Sequence, residues 1–259
     1  MIPPTAQPTC PVLDFDHHAL GPDGRAEVWQ ELLKLGPIFR STQYGGFWVV
    51  GGHAEAAMVL RHDELFSSAR SGDGQGGQAI PPFPWPRPNI PGEYDGEEHS
   101  RLKRTFLNHL SPAVVRSNSE RVRTIVGETF DAFAGEAEVD VLQQIAVPIP
   151  AHVMFTLLGL DTQDALWMGV TVHEILTGAA DLPRRDYLLG QLHKIEAMML
   201  EQVDERRGTP RPDIISAYAN VRDKEGRLLG AEDLLSVLVN SFLFGGLGCS
   251  DNLITSAIA

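Results

Sequence analysis

Cysteine is nearly absent. Cys10 and Cys249 are the only two in 259 residues, which excludes a disulfide framework and fits a reducing, cytoplasmic setting. Positive charge is scarce as well: 21 Lys and Arg against 34 Asp and Glu leave a net charge of −13, the wrong sign for a nucleic-acid binder. The N-terminus, MIPPTAQPTCPVLDFD, has no basic region followed by an apolar run, so it does not read as a secretory signal. Long apolar runs are missing too. The charge-free stretch Leu234–Ser250 contains Asn240, Ser241 and three glycines and meets Asp251 at once. A membrane span needs about 20 predominantly apolar residues, so this stretch reads as a buried core helix and no membrane is expected. The 9 His include no two-His helix motif with a carboxylate between them, and calcium-type Asp spacing is absent, so no protein-held metal is expected. Ser71–Gly77, SGDGQGG, is not followed by Lys-Ser or Lys-Thr and is no phosphate loop. His17-His18 and His173-Glu174 read as surface groups.

What the chain does have is helical patterning after a short mixed start. Residues 1–22 read as an extended, Pro-punctuated arm. Arg25–Leu35 reads as an amphipathic helix stopped by Gly36-Pro37, and Ile38–Ser41 and Phe47–Val50 flank Tyr44-Gly45-Gly46 as a β-hairpin. His53–Leu60 reads as a short helix. Residues 67–94 are irregular and rich in Gly and Pro, and loops longer than about 15 residues tend to be functional. Phe83 and Trp85 in that loop suit the covering of an apolar ligand; a flexible surface excursion is the alternative. From Asp95 onward the pattern is helical: Glu97–Leu110, Pro112–Ala134, Leu142–Leu158, Thr162–Gly178, Arg185–Arg207, Pro212–Asn220 and a final helix from Ala231. The expected fold is mainly α with a small β-sheet. It forms one domain over 1–259, made of an N-terminal region (1–66), a substrate-covering loop (67–94) and a helical core (95–259).

The final helix opens with Glu232 and Asp233, where the exposed N–H groups favour acids, and repeats Leu234, Leu235, Leu238, Phe242 and Leu243 at helical spacing. Nothing after Ile254 resembles a C-cap, so the sequence is expected to be the first part of something longer.

Asp95-Gly96-Glu97-Glu98 carries a capping-box pattern. In the helix that follows, Leu102, Phe106 and Leu110 form an apolar stripe, and His99 and Lys103 share an adjacent face four residues apart. An imidazole and an ammonium at the edge of the core suit a dianion. The alternative is a solvated basic face paired with Glu97 and Glu98.

DGEEHSRLKR resembles the C-helix signature of the cytochrome P450 superfamily, in which an acidic turn precedes His-x-x-x-Arg. VLDFDHHAL, FWVVGGHAEAAMVLRHDELFSS, the Pro-rich loop, RGTPRPDIISAYA and the final GGLGCSDNLI fall in the order and spacing of that family, nearest its bacterial camphor-hydroxylase type. The resemblance implies that His99 and Lys103 bind the propionates of haem b, with Lys in place of Arg. Lys neutralises a propionate without the planar fork of a guanidinium. It also implies that Gly245 and Gly246 mark the bend where the family's long I-helix crosses the haem and makes an oxygen pocket.

The family then places an acid followed by Thr to deliver protons. Here those positions are Gly248 and Cys249, and neither is a good proton donor. Three readings stay open: Asp251 connects through water, Ser250 substitutes if the helix is locally distorted, or the site has lost ordinary oxygen activation. Cys249 is not expected to ligate iron, since the family's thiolate lies in a later loop whose motif is absent from these residues. The candidate catalytic set is therefore Gly248, Cys249, Ser250 and Asp251. Phe83, Trp85, Ser241, Phe244 and Leu247 would line the substrate space.

The implied function is a haem-dependent monooxygenase hydroxylating a small or mid-sized apolar substrate with dioxygen and electrons from a ferredoxin-type donor. Arg101 and Arg104 would be exposed to meet that acidic partner or would serve only solubility. The alternative is a truncated or degenerate family member acting as a non-catalytic ligand-binding or interaction protein.

Overall fold

The computed structural model describes residues 10–20, 24–71, 76–80, 88–178, 182–222 and 225–258. Phe83 and Trp85 lie outside these residues, as does the side chain of Phe106. The chain forms two compact units, Met1–Trp85 and Pro86–Ala259.

In the first unit the β-hairpin is present as read. Strands β1 (Val12–Leu13), β2 (Ile38–Ser41) and β3 (Phe47–Val50) make a sheet in the order β1-β2-β3, with Ile38 opposite Val50 and Ser41 opposite Phe47. The turn needs three successive left-handed residues, Tyr44 (φ 53°), Gly45 (φ 82°) and Gly46 (φ 96°). Glycine adopts that conformation freely, while Tyr44 is held there by a 2.8 Å hydrogen bond from its hydroxyl to Asp16 Oδ1. The supposed extended arm is instead partly structural. Val12–Leu13 runs parallel to β2, with Arg40 N donating to Pro11 O at 2.9 Å and Thr42 N to Leu13 O at 3.0 Å. Helices α1 (Arg25–Leu35) and α2 (His53–Arg61) complete the unit. Its small core is Phe15, Phe39 and Val49, with Trp29 edge-on to Phe15.

The second unit is helical, with α3 (Gly96–His109), α4 (Pro112–Ser117), α5 (Ser119–Asp131), α6 (Pro148–Leu158), α7 (Ala165–Gly178), α8 (Arg185–Gly208), α9 (Ile214–Ala219), α10 (Ala231–Leu235) and α11 (Gly245–Ile258). The expected helix 112–134 is divided at Asn118, with Ser111 capping its first part. Pro148 starts α6, a position where a missing N–H costs nothing. Two stretches widen to the i→i+5 pattern: Val141–Ala146 ahead of α6, and Ser236–Phe244, which fuses α10 to α11.

The fused helix, Ala231–Ile258, is long and apolar enough to cross a bilayer by length and composition, but 61% of its apolar window is buried. It packs on α6, α7 and α8. Leu158, Met168, Val172, Ile195, Leu238 and Leu243 are all fully buried (0% exposed) in this core.

Candidate functional site

Gly245 begins the regular part of the fused helix, immediately after the widened stretch. Its neighbours divide α11 into distinct sides. A methyl group built on Gly246 would lie 2.5 Å from Met154 Sδ of α6, and one on Gly248 would lie 2.3 Å from Leu176 Cδ1 of α7. A side chain at either glycine would have to displace the end of Met154 or Leu176. Gly245 is different: nothing lies within 4 Å of the corresponding position. Gly245, Cys249, Asn252, Leu253 and Ser256 are all exposed and recur at helical spacing, so one side of α11 is an open strip with glycine at its head. Phe244 and Leu247 are buried at 4% and 3% exposure, away from this strip.

Asp251 also lies off the strip. It follows Cys249 by two residues, about 200° around the helix, and is buried at 3% exposure. Its Oδ2 is 2.8 Å from His173 Nδ1 on α7, so His173 is not a plain surface group. Glu174 does face outward, toward Arg184 at 3.5 Å. The helical distortion that would bring Ser250 into play ends at Phe244, upstream of where Ser250 would need it.

Ser241, expected against substrate, is committed to the protein. Its hydroxyl donates to Ile90 O and lies 2.9 Å from Asn89 Oδ1. Ser236, five residues earlier, accepts from Ile90 N and donates to Pro88 O, both at 2.8 Å. The i→i+5 widening stacks positions five apart, which puts both hydroxyls over the segment 88–90. No local signal in the sequence pairs these residues. Ser236→Ala strands the buried Ile90 N–H and is expected to cost about 1–3 kcal/mol in urea unfolding; a loss below about 0.5 kcal/mol would show that the segment is held by other means.

Of the expected apolar stripe, Leu102 on α3 is buried (7% exposed), whereas Leu110, just past its end, is 49% exposed. His99 is half-buried and Lys103 exposed. Glu98 is paired to Arg101, with its two oxygens 2.5 and 2.8 Å from the guanidinium. Glu98 is thus engaged by Arg101, and His99 and Lys103 have no ion pair among the described residues. Arg101 also lines a cavity of about 90 Å³ with Tyr94, Leu102, Asp233 and Val237. Burial and the neighbouring Asp233 and Glu98 push the Tyr94 hydroxyl pKa up. Arg104 is exposed. The shared cavity seats α3 beside the start of the fused helix, whose later part carries the glycine strip.

The described residues thus offer an open strip on α11 and, on α3, His99 and Lys103 without an ion pair. No group of three or more His, Cys, Asp or Glu suited to a metal ion occurs among the described residues.

No family model matches the chain. It is 27% identical over 192 residues to the erythromycin C-12 hydroxylase of Saccharopolyspora erythraea, covering 73% of this chain and 46% of that protein. It is 27% identical over 263 residues to the cytochrome P450 monooxygenase PikC of Streptomyces venezuelae, covering 98% and 60%. Among solved structures, the cytochrome P450 PksS of the Bacillus subtilis bacillaene polyketide synthase superposes with a TM-score of 0.74 at 18% identity, over 92% of this chain and 60% of that one. The chain spans roughly half the length of such relatives, 46% and 60% of these two. The mainly helical architecture with its small sheet is the fold of those structures. In sequence the chain is similar to part of these cytochrome P450s, and it shares their fold.

Proposed function

We propose that this protein is a haem-dependent monooxygenase that hydroxylates a small or mid-sized apolar molecule, using dioxygen and electrons from a ferredoxin-type donor in the cytoplasm. The observation that carries the reading is the open strip headed by Gly245, on a helix whose first turns are packed against α6 and α7 elsewhere, in a unit where His99 and Lys103 also have no ion pair among the described residues. When bound, haem b would supply the oxygen activation.

This chain's own residues supply the rest. His99 would donate one hydrogen bond to a propionate and Lys103 would add a compact positive charge. Gly245, without a side chain, lets the helix lie against a flat ring. Gly248 and Cys249 border the oxygen side with only a weak S–H donor. The proton needed there would therefore come from an O–H brought in by water or substrate. The buried Leu247 and Phe244 keep water away from the back of the strip.

The test is haem retention by the full-length protein. Reduced protein exposed to carbon monoxide should show a thiolate-type difference spectrum. A hydrogen bond to a charged group contributes about 1.5–3 kcal/mol, so Lys103→Ala should speed haem transfer to apomyoglobin by about tenfold, and His99→Ala by a similar factor. Lys103→Arg should slow it. Full-length protein that takes up no haem, or variants that release it at the wild-type rate, would overturn the reading.

A further inference from the structure

Three residues join the packed side of α11 to its open strip. His173 Nδ1 meets Asp251 Oδ2 at 2.8 Å. Asp251 Oδ1 accepts from the Asn252 backbone N–H at 2.6 Å and lies 3.2 Å from Asn252 Nδ2. Asn252 Nδ2 also donates to Gly248 O at 2.6 Å. The contact between helices is in register: His173 faces Asp251, and Leu176, one turn along α7, faces Gly248.

This arrangement decides which way the amide of Asn252 points. Gly248 O can only accept, and Asp251 Oδ1 is already accepting from a backbone N–H, so the group turned toward both must be the NH₂. Its two hydrogens are then used. The amide oxygen is left on the other side, has no partner among the described residues, and belongs to an exposed residue of the strip shared with Gly245 and Cys249. The chain thus presents a fixed acceptor beside two positions, Gly248 and Cys249, that offer almost no donor.

We propose that Asn252 is a ligand-binding residue of this strip, whose amide oxygen accepts a hydrogen bond from an O–H group, and that Asp251 and His173 are positioning residues that hold its orientation. The O–H belongs to a water or to a hydroxyl of the substrate. An O–H fixed there is a proton-bearing group at the side of the helix where neither residue 248 nor residue 249 supplies one. The inference rests on the monooxygenase reading for its role, but not for its geometry.

Two measurements on the haem-loaded full-length protein test it. The first is a crystal structure before and after soaking with cyclododecanol. An oxygen within hydrogen-bonding distance of Asn252 Oδ1 before soaking identifies water, and one appearing only after soaking identifies a ligand hydroxyl. An apolar side chain packed on Oδ1, or the amide turned inward, overturns the proposal whether or not the protein turns over.

The second compares product yield with dioxygen plus reductant against yield with hydrogen peroxide, which already carries its protons. Asn252→Leu and Asp251→Asn should each lower product per dioxygen consumed at least fivefold and lower the peroxide yield by a clearly smaller factor. His173→Gln, whose side-chain NH₂ can still donate to Asp251, should restore most of what His173→Ala loses. Equal losses with both oxidants would indicate a merely structural role and overturn the proposal. No product from the wild type with either oxidant would instead sink the monooxygenase reading, and the crystal result would still decide the role of Asn252.

Discussion

Replacing Arg206 by alanine is expected to lower the stability of the full-length chain by about 3–5 kcal/mol, the usual consequence of stranding one member of a buried ion pair. Arg206 is fully buried (0% exposed) near the end of α8. Its Nε meets Asp213 Oδ2 at 3.1 Å, one terminal nitrogen donates to Gln202 Oε1 at 2.6 Å, and the other to Gly159 O at 2.5 Å. One side chain therefore ties the end of α8 to the start of α9 and to the corner between α6 and α7. Asp213 is itself fixed, accepting from Ser216 N at 2.6 Å as the cap of α9. Lysine cannot reproduce a fork that reaches three directions, so Arg206→Lys should recover only a minor part of the loss. Urea unfolding of the wild type, both single variants and Arg206→Ala/Asp213→Ala gives the coupling directly. A loss below about 1 kcal/mol for Arg206→Ala would mean that water replaces the guanidinium, and the corner would not be the pin described here.

The same corner shows what the sequence can and cannot tell. Gly159 ends α6 as its left-handed C-cap. It has φ +77°, and a side chain there would strike Asp213 at 2.3 Å. The stop is a local property; the need for empty space facing residue 213 is not. The helices and the hairpin around Tyr44-Gly45-Gly46 were readable because periodicity and turn chemistry operate over a few residues. Strand β1 was hidden because its partner is 28 positions away and two residues carry no periodicity. The widened stretch Ser236–Phe244 was hidden because its composition is that of an ordinary apolar helix. In the site, the glycines could be picked out, but their reasons could not. Gly246 answers to Met154, Gly248 to Leu176, and only Gly245 to open space. His173 looked like a surface residue because the carboxylate it holds lies 78 positions later.

Restoring an acid at position 248 should fail alone and succeed in company. Gly248→Asp is expected to destabilise the protein by about 1–3 kcal/mol, since its Cβ would enter the space of Leu176 Cδ1, 2.3 Å away, and overpacking costs that much. Leu176→Ala alone should also destabilise, by less than the loss of a fully buried leucine, since Leu176 is only half-buried. Combined, each change relieves the other: the new carboxylate fills part of the vacated volume. The double variant should then be more stable than the sum of the two losses by about 0.5–3 kcal/mol, the range for residues in direct contact.

Thermal unfolding of the four proteins measures this, and additivity within about 0.5 kcal/mol would show that Leu176 is not what keeps position 248 empty. The physical content is that the absence of an acid here is a packing fact about α7 as much as a chemical fact about α11. A leucine on one helix and a glycine on the other are a single choice. With that choice made, the nearest carboxylate is displaced one turn along, to Asp251, where His173 holds it on the far side of the helix from Cys249. The double variant therefore also carries a functional expectation under the monooxygenase reading. With an acid returned to position 248, beside the open strip, product formation per dioxygen consumed should depend less on Asn252 than it does in the wild type.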